Sequence, residues 1–154
     1  MYILLSPSKT QDYNLSSMLH GKSSILFPDS VVKLAAQLKK LDESELSKLL
    51  KISPKLASKT AAYYKQFSIN QLDSNAKQAL FAYQGDVYES LEPTTLKKSD
   101  VDYLQEHLLI ISGLYGLVRP FDLIQAYRLE MGSKLYTDNQ VLYKYWSNII
   151  TDKQ

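Results

Sequence analysis

The chain has 154 residues, of which 45% are hydrophobic and 22% charged, a composition typical of a single soluble globular domain. It contains no cysteine, which excludes disulfide bonds, thiolate metal sites and thiol catalysis. No run of about 18 apolar residues is present, so we expect no membrane span. The two histidines, His20 and His107, are far apart in sequence, which argues against a histidine metal site. We therefore expect no metal and no other cofactor. The lack of cysteine and of a basic signal sequence at the start favours the cytoplasm.

The net charge of +2 is too small to identify a partner, but the charges are unevenly distributed. Residues 1–80 carry 11 lysines and 6 acidic residues (+5), whereas residues 81–154 carry 7 basic and 10 acidic residues (−3). Most lysines of the first half fall in predicted helices. Either solvated helix faces or a surface that binds nucleic acid explains them, and the charge pattern leaves both open.

The first half predicts a strand followed by helices. The short apolar run Tyr2–Leu5 ends at a Ser-Pro pair, which indicates a buried strand leading into a loop. Residues 11–28 are polar and irregular. Three helices are then predicted, at about 30–41, 45–51 and 54–66, and the residues that can cap them are Asp29 or Ser30, Asp42 or Ser44, and Ser53.

The second half predicts further helices and one short strand. A helix at 74–80 is expected to lead into a strand containing Phe81, Tyr83 and Val87, with Gly85 at a turn or at a close approach of the backbone. A helix capped by Ser99 then presents an apolar face and is expected to end at Gly113; the residues of that face are Val101, Leu104, Leu108 and Ile111. The last helix, at 141–150, is apolar on most sides and would need contacts from several directions, which suggests an incomplete domain.

The window 112–132 holds three of the five glycines and both arginines of the chain. An amphipathic helix, the turn Gly113-Leu114-Tyr115-Gly116 and a second helix near Pro120 form the pattern of a helix-hairpin-helix. Glycines can take positive φ there, and exposed main-chain N–H groups, a helix N-terminus and Arg119 would together hold a phosphate. The alternative is two core helices joined by a glycine turn.

Two other groups of polar residues could line a cleft. In "AYRLEMG", period-two alternation places Arg128 and Glu130 on one strand face, as an ion pair at a sheet edge or as a pair that binds an anionic ligand. Lys9 follows the first strand and is either an ordinary loop lysine or a cleft lysine. No nucleophile with a base, no phosphate loop and no paired carboxylates occur, so we assign no catalytic residue.

Four segments resemble the YaaA peroxide-stress family: "ILLSPSKT", "FAYQGDVYESL", "ISGLYGLVRPFDLIQAYRLEMG" and "LYKYWSNIIT". They occur in the family's order from Met1 to about residue 153. The resemblance implies a cytoplasmic bacterial protein linked to hydrogen-peroxide stress, where the family limits damage associated with free iron. It also implies a mixed α/β (α+β) fold, rich in helices, with a small central sheet and a helix-hairpin-helix element. The implied partner is DNA, which would be bound in a basic cleft without sequence preference.

The resemblance carries over to particular positions. The DNA-binding hairpin would comprise Gly113, Leu114, Tyr115 and Gly116, with Arg119 beside it. The family's other recurrent polar positions, which we expect in a cleft, correspond to Ser6, Lys9, Thr10, Asp86, Arg128 and Glu130. Family members are longer, so we expect residues 1–154 to form a single domain that is the N-terminal part of a longer family domain.

Three functions remain open from the sequence. The first is a non-enzymatic DNA-binding protein of the peroxide response. The second is an enzyme or binding protein for a small anionic ligand in a cleft that contains Lys9, Arg128 and Glu130. The third is an inactive truncated fragment. We expect no membrane and no disulfide-linked partner, and the sequence does not indicate an oligomeric state.

Overall fold

The computed structural model describes residues 1–14, 21–69 and 76–152. Within these ranges the chain is a mixture of helices and short strands, which confirms the α+β class. The helices are α1 (Pro28–Lys39), α2 (Glu43–Leu50), α3 (Pro54–Gln66), α4 (Ala79–Ala82), α5 (Asp86–Leu91), α6 (Lys98–His107) and α7 (Leu142–Asp152). The strands are β1 (Ile3–Leu5), β2 (Ala76–Gln78), β3 (Leu108–Ser112), β4 (Gly116–Val118), β5 (Leu123–Gln125), β6 (Tyr136–Thr137) and β7 (Gln140–Val141).

The chain divides into two compact units, each built from separate stretches of sequence. The first unit comprises Met1–Leu26, Asn70–Ile111 and Leu117–Ala126. The second unit comprises Phe27–Ile69, Ser112–Gly116 and Tyr127–Gln154.

Parallel pairing of β1 with β3 organises the first unit, with Ile3 opposite Leu108 and Leu5 opposite Ile110. The sheet order is β1-β3-β4, and a separate antiparallel ladder joins β2 to β5. Beside these strands lies a small core, which contains Leu80, Val101 and Phe121. Because β1 is followed directly by a loop, its carboxyl end presents Ser6 and the residues after it at the edge of the sheet.

The second unit is mainly helical. The caps predicted for α2 and α3 are confirmed, but the cap predicted for α1 at Asp29 or Ser30 is wrong, because α1 begins at Pro28 after Phe27 without a side-chain cap. Ser53 caps α3 by accepting a hydrogen bond from the Leu56 N–H, with Pro54 in the first turn. Asp42 forms a capping box with Glu45 at the start of α2. The predicted apolar face of α1 is buried; it consists of Val31, Leu34, Ala35 and Leu38. Helices α1 and α2 both pack on α3, and α7 packs on the β6–β7 ladder.

Several predicted elements between residues 74 and 113 are wrong. Residues 76–78 form strand β2, not a helix, and positions 74 and 75 lie outside the described residues. Phe81 and Val87 lie in short helices. Tyr83 belongs to none of the described strands, and its backbone forms an isolated antiparallel β-bridge with Gln11. The conformation of these segments depends on pairing with strands that are distant in the sequence. Local periodicity over so few residues does not reveal such pairing.

The helix predicted to reach Gly113 ends at His107, and the next five residues form strand β3. The run Leu108–Ser112 contains two adjacent isoleucines, which favour a strand, and its burial alternates with period two. An apolar run of this length fits a helical face as well as a buried strand. The parallel ladder with β1 provides the backbone hydrogen bonds that select the strand.

Candidate functional site

Hydrogen bonds within the first unit fix the loop after β1. The Tyr88 hydroxyl donates to the Ser6 carbonyl oxygen at 2.5 Å. The Ser8 hydroxyl oxygen accepts from the Thr10 N–H at 3.1 Å, and the Thr10 carbonyl accepts from the Gln84 N–H at 2.9 Å. The bonds from Tyr88 and Gln84 hold residues 6–10 against α5 and the segment that leads into it.

Gly85 makes this close approach possible. Its φ is +110°, a conformation that L side chains rarely adopt, and it immediately precedes α5. A Cβ atom at this position would lie 3.3 Å from the Ser8 hydroxyl oxygen. The sequence-based expectation of a turn or close backbone approach at Gly85 is therefore confirmed.

Between the loop and the start of α5 lies a cavity of about 570 Å³, which we call the β1–α5 cleft. Its apolar lining comes from β1 and from Val87. Its polar lining includes four of the six predicted cleft residues: Ser6, Lys9, Thr10 and Asp86. Lys9 and Asp86 are both exposed, so a ligand would meet one cation, one carboxylate and several hydroxyl groups. Lysine and hydroxyl donors are suited to a small anion.

The other two predicted cleft residues, Arg128 and Glu130, belong to the second unit and do not line this cleft. Residues 126–130 are not in a strand, but their burial alternates as predicted, with Tyr127 and Leu129 buried and Glu130 exposed. The Arg128 carbonyl oxygen accepts a hydrogen bond of 2.6 Å from the Tyr64 hydroxyl. The alternation is confirmed, whereas an anion site at Arg128 and Glu130 stays a prediction.

The predicted helix-hairpin-helix is wrong, because Gly113 follows a strand and Gly116 begins one. The residues from Ser112 to Gly116, here called the β3–β4 turn, are all buried. A phosphate-binding hairpin requires an exposed glycine turn next to a helix N-terminus, and this segment has neither. DNA binding by Gly113, Leu114, Tyr115 and Gly116 stays a prediction without the helical geometry that motivated it.

Packing within the second unit explains both glycines of the β3–β4 turn. A Cβ atom on Gly113 would lie 2.2 Å from the Leu129 carbonyl oxygen, and one on Gly116 would lie 2.6 Å from the Trp146 ring. Gly116 also has a φ of +79°. The Trp146 Nε1–H donates to the Gly113 carbonyl oxygen at 2.7 Å. The glycine pattern that suggested phosphate binding therefore marks close packing.

Arg119 makes its polar contacts with residues of the first unit. Its guanidinium contacts the Asp122 carboxylate at 3.0 Å and donates to the Ser24 carbonyl oxygen at 2.7 Å. Asp122 is fully buried and also accepts a hydrogen bond of 2.6 Å from the Ser23 hydroxyl. Burial raises the pKa of Asp122, and the hydrogen bonds from Arg119 and Ser23 oppose that shift. Arg119 thus has a structural role in addition to any contact with a phosphate.

Part of the excess of lysine in the first half of the sequence lies in a basic segment on α2 and α3. Between Glu45 and Asp73 the chain has five lysines and no acidic residue, namely Lys48, Lys51, Lys55, Lys59 and Lys65. All five are exposed. Lys33 and Lys98 pair with carboxylates at 2.5 and 3.0 Å, whereas none of the five does so within the described ranges.

Helix α3 places part of this segment on one face. The exposed residues of α3 project on the side opposite its buried residues, and we call them the α3 lysine face; they include Lys55, Ser58, Lys59, Ala62, Lys65 and Gln66. None of the residues of this face is acidic. The chain thus has two candidate sites for anions, the β1–α5 cleft and the α3 lysine face.

Two kinds of feature are absent from residues 1–14, 21–69 and 76–152. No helix in these ranges is long and apolar enough to cross a membrane. No group of three or more histidine and acidic side chains in the same ranges is arranged to hold a metal ion.

Sequence comparison identifies the class of protein to which the chain belongs. A family model described as peroxide stress protein YaaA matches residues 1–153. The chain therefore belongs to the peroxide stress protein YaaA family.

Curated relatives agree with this assignment. The chain is 47% identical over 152 residues to a UPF0246 protein of Francisella tularensis subsp. mediasiatica, a match that covers 98% of this chain and 60% of the relative. A UPF0246 protein of Francisella philomiragia is 45% identical with the same coverage. The chain thus spans about 60% of the length of the curated relatives that it matches.

Proposed function

We propose that the protein acts in the response to peroxide stress by binding nucleic acid through the phosphate backbone, with the α3 lysine face as the contact surface. The family assignment supports the first part. The single observation that carries the second is the run of five exposed lysines without an acidic residue, three of which, Lys55, Lys59 and Lys65, lie on this face. Contacts from lysine to phosphate do not depend on base sequence, so the binding is sequence-independent.

Such binding also offers a physical route to protection from iron. Duplex DNA carries a condensed layer of cations, and lysines that neutralise phosphates release them. Ferrous ions on the backbone belong to that layer. Each gives one electron to a hydrogen peroxide molecule, whose O–O bond breaks to form a hydroxyl radical and a hydroxide ion next to the sugars, and the iron becomes ferric. Displacing these ions moves radical formation away from the DNA without any redox group in the protein.

Affinity for a duplex of about 25 base pairs, measured by fluorescence anisotropy over a series of salt concentrations, tests this proposal. We expect Lys55→Gln/Lys59→Gln/Lys65→Gln to weaken binding equally for unrelated sequences and to reduce the salt slope by about 3. The matched control, Lys98→Gln/Lys134→Gln/Lys144→Gln, removes the same charge from exposed lysines outside the face. An equal loss of affinity in both triple variants would show that only net charge matters. An affinity that does not depend on the salt concentration would refute the contact with the phosphate backbone.

The β1–α5 cleft supports a second candidate, the binding of a small anionic ligand by Lys9 with the hydroxyls of Ser6 and Thr10. Inorganic phosphate and a nucleoside monophosphate are suitable probes, with binding followed by amide chemical shifts. We expect shifts at residues 6–10 and 84–88 that Lys9→Gln abolishes and Lys98→Gln leaves intact. The Lys9→Gln variant should still bind DNA, which separates the two candidates. A chain that bound neither DNA nor the probes would favour the third possibility, an inactive fragment.

A further inference from the structure

The lysines of α3 are placed against the electrostatic preferences of a helix. Lys55 and Lys59 are four residues apart, so their side chains are neighbours on the helix surface and repel each other. Neither of them, nor Lys65, has an acidic residue three or four positions away in the sequence. Lys55 also lies in the first turn, where the helix dipole makes a cation unfavourable. This charge pattern lowers the stability of α3, so folding does not explain it.

The neighbouring helices follow the opposite rule. Asp29 lies in the first turn of α1, and Glu43 and Glu45 lie in the first turn of α2, whereas the first turn of α3 has no acidic residue. Natural sequences break such local rules mainly at functional positions. Negative groups bound along α3 would remove the repulsion between its lysines, and we therefore expect an anionic partner on this helix.

The basic segment does not follow one straight line. Lys48 lies in the last turn of α2, and Lys51 is the C-cap of that helix, with a left-handed φ of 56° that ends it. Ser53 caps α3 two residues later. The other three lysines extend along α3 for about 15 Å, at 1.5 Å per residue. Because α2 and α3 pack on each other across this short turn, a partner that contacts all five lysines must bend.

The α3 lysine face offers donors for phosphate and no platform for a base. Besides its lysines it contains Ser58, Ala62 and Gln66. Proteins that hold unpaired bases do so by stacking them on aromatic rings or guanidinium groups, and no member of this face has either group. The face therefore requires a row of phosphate groups, whether or not they carry nucleosides.

We propose that the basic segment binds inorganic polyphosphate, a flexible linear chain of phosphate units without sugars or bases. Each internal unit carries a negative charge, so the chain follows the lysines around the end of α2 and along α3. A DNA duplex is stiff over about 150 base pairs and contacts only the lysines on one side of α3. The proposal rests on the same lysines as the proposed contact with nucleic acid, and the two ligands compete for them.

Calorimetric titration of the chain with long-chain polyphosphate, repeated over a series of salt concentrations, tests the proposal without DNA. We expect the logarithm of the affinity to fall with the logarithm of the salt concentration with a slope of about −4, because five lysines displace counterions. Lys48→Gln/Lys51→Gln should reduce the size of this slope by about 2 and leave the slope for the duplex unchanged. Lys134→Gln/Lys144→Gln, at exposed lysines outside the segment, is the matched control and should leave both slopes unchanged.

A second measurement does not depend on any variant. Added polyphosphate should change the amide chemical shifts of residues 47–66. Changes confined to residues 6–10 and 84–88 would place the ligand in the β1–α5 cleft and overturn the proposal.

The remaining outcomes separate this proposal from nucleic-acid binding. Failure to bind polyphosphate under conditions in which the duplex binds would overturn the proposal and leave the contact with nucleic acid standing. An equal loss of affinity in Lys48→Gln/Lys51→Gln and in its control would also overturn it, because only net charge would then matter. Binding of polyphosphate without binding of the duplex would support it and remove nucleic acid from the proposed function.

Discussion

The Trp146 indole N–H donates a hydrogen bond of 2.7 Å to the Gly113 carbonyl oxygen. Both groups are buried, and the six-membered part of the same indole contacts Gly116 where a side chain would otherwise lie. One aromatic side chain of α7 therefore fixes the β3–β4 turn at both of its glycines. This contact explains why the sequence places glycines three residues apart at this position.

Substitution of these glycines should be destabilising. Gly113→Ala and Gly116→Ala should each lower the free energy of unfolding by about 3 kcal/mol, because a Cβ atom meets the Leu129 carbonyl oxygen or the Trp146 ring. Gly116→Ala also imposes a side chain on a residue with positive φ. Denaturation followed by the fluorescence of the single tryptophan measures both effects. Gly132→Ala is the matched control, since a Cβ atom there would have no neighbouring atom within 4 Å, and a comparable loss there would contradict this account.

The hydrogen bond from Trp146 should have a separate, smaller effect. Trp146→Phe retains much of the apolar packing but leaves the buried Gly113 carbonyl oxygen without its donor. We expect a loss of about 1–3 kcal/mol in the free energy of unfolding, measured by circular dichroism. Tyr143→Phe on the same helix is the control, because Tyr143 is 56% exposed. A Trp146→Phe variant as stable as the parent would show that this bond contributes nothing net.

The start of α2 provides a test of capping. The sequence allowed either Asp42 or Ser44 as the cap, and the structure assigns it to Asp42, whose carboxylate accepts from the Glu45 N–H at 2.8 Å. Asp42→Ala should therefore cost about 1 kcal/mol in thermal or chemical unfolding. Ser44→Ala should be neutral or slightly stabilising, because alanine favours the helix interior. The reverse ranking would reassign the cap.

The helices of the second unit could be predicted because local signals determine them. Ser53, Asp42 and the apolar face of α1 act over one or two turns, and the structure retains each of them. Among the strands of the first unit, the position of β1 was predicted correctly from its apolar run, whereas β2 and β3 were assigned to helices. The partner of β3 in its ladder with β1 lies more than 100 positions away in the sequence. No local pattern in "LLIIS" distinguishes a helix face from a strand that such a partner selects.

The candidate sites also divide into features that could be predicted from the sequence and features that depend on distant contacts. Ser6, Lys9, Thr10 and Asp86 were expected in one cleft, and the structure brings them together. The helical geometry predicted around the β3–β4 turn is wrong. The glycines did not reveal this, because a glycine needed for φ and one needed for close packing look identical in sequence. Gly113 has an ordinary φ but no room for a Cβ atom, and only the position of Leu129 reveals this.

Asp122 should make stability depend on pH. Its folded pKa is raised above the unfolded value of about 4, mainly by burial, so the native state binds more protons between the two values. In that window the contribution of Asp122 to the free energy of unfolding falls as the pH rises. Urea titrations from about pH 3 to 7 should show that Asp122→Asn removes this downward slope, whatever its effect on overall stability. If the free energy of unfolding of the parent minus that of Asp122→Asn instead increased with pH, folding would lower the pKa of Asp122 rather than raise it.

The β1–α5 cleft depends on the hydroxyl of Tyr88, which is buried and donates to the Ser6 carbonyl oxygen. Tyr88→Phe keeps the ring and removes only this donor. We expect a loss of about 1 kcal/mol in global stability and faster amide exchange at Thr10 and Gln84, because residues 6–10 lose their anchor. Tyr103→Phe is the control, since Tyr103 is 53% exposed and its ring contacts His107 rather than the loop. Unchanged exchange in Tyr88→Phe would show that the remaining bonds to Ser8 and Gln84 hold the loop by themselves. Faster exchange together with weaker phosphate binding would link the order of the loop to the affinity of the cleft.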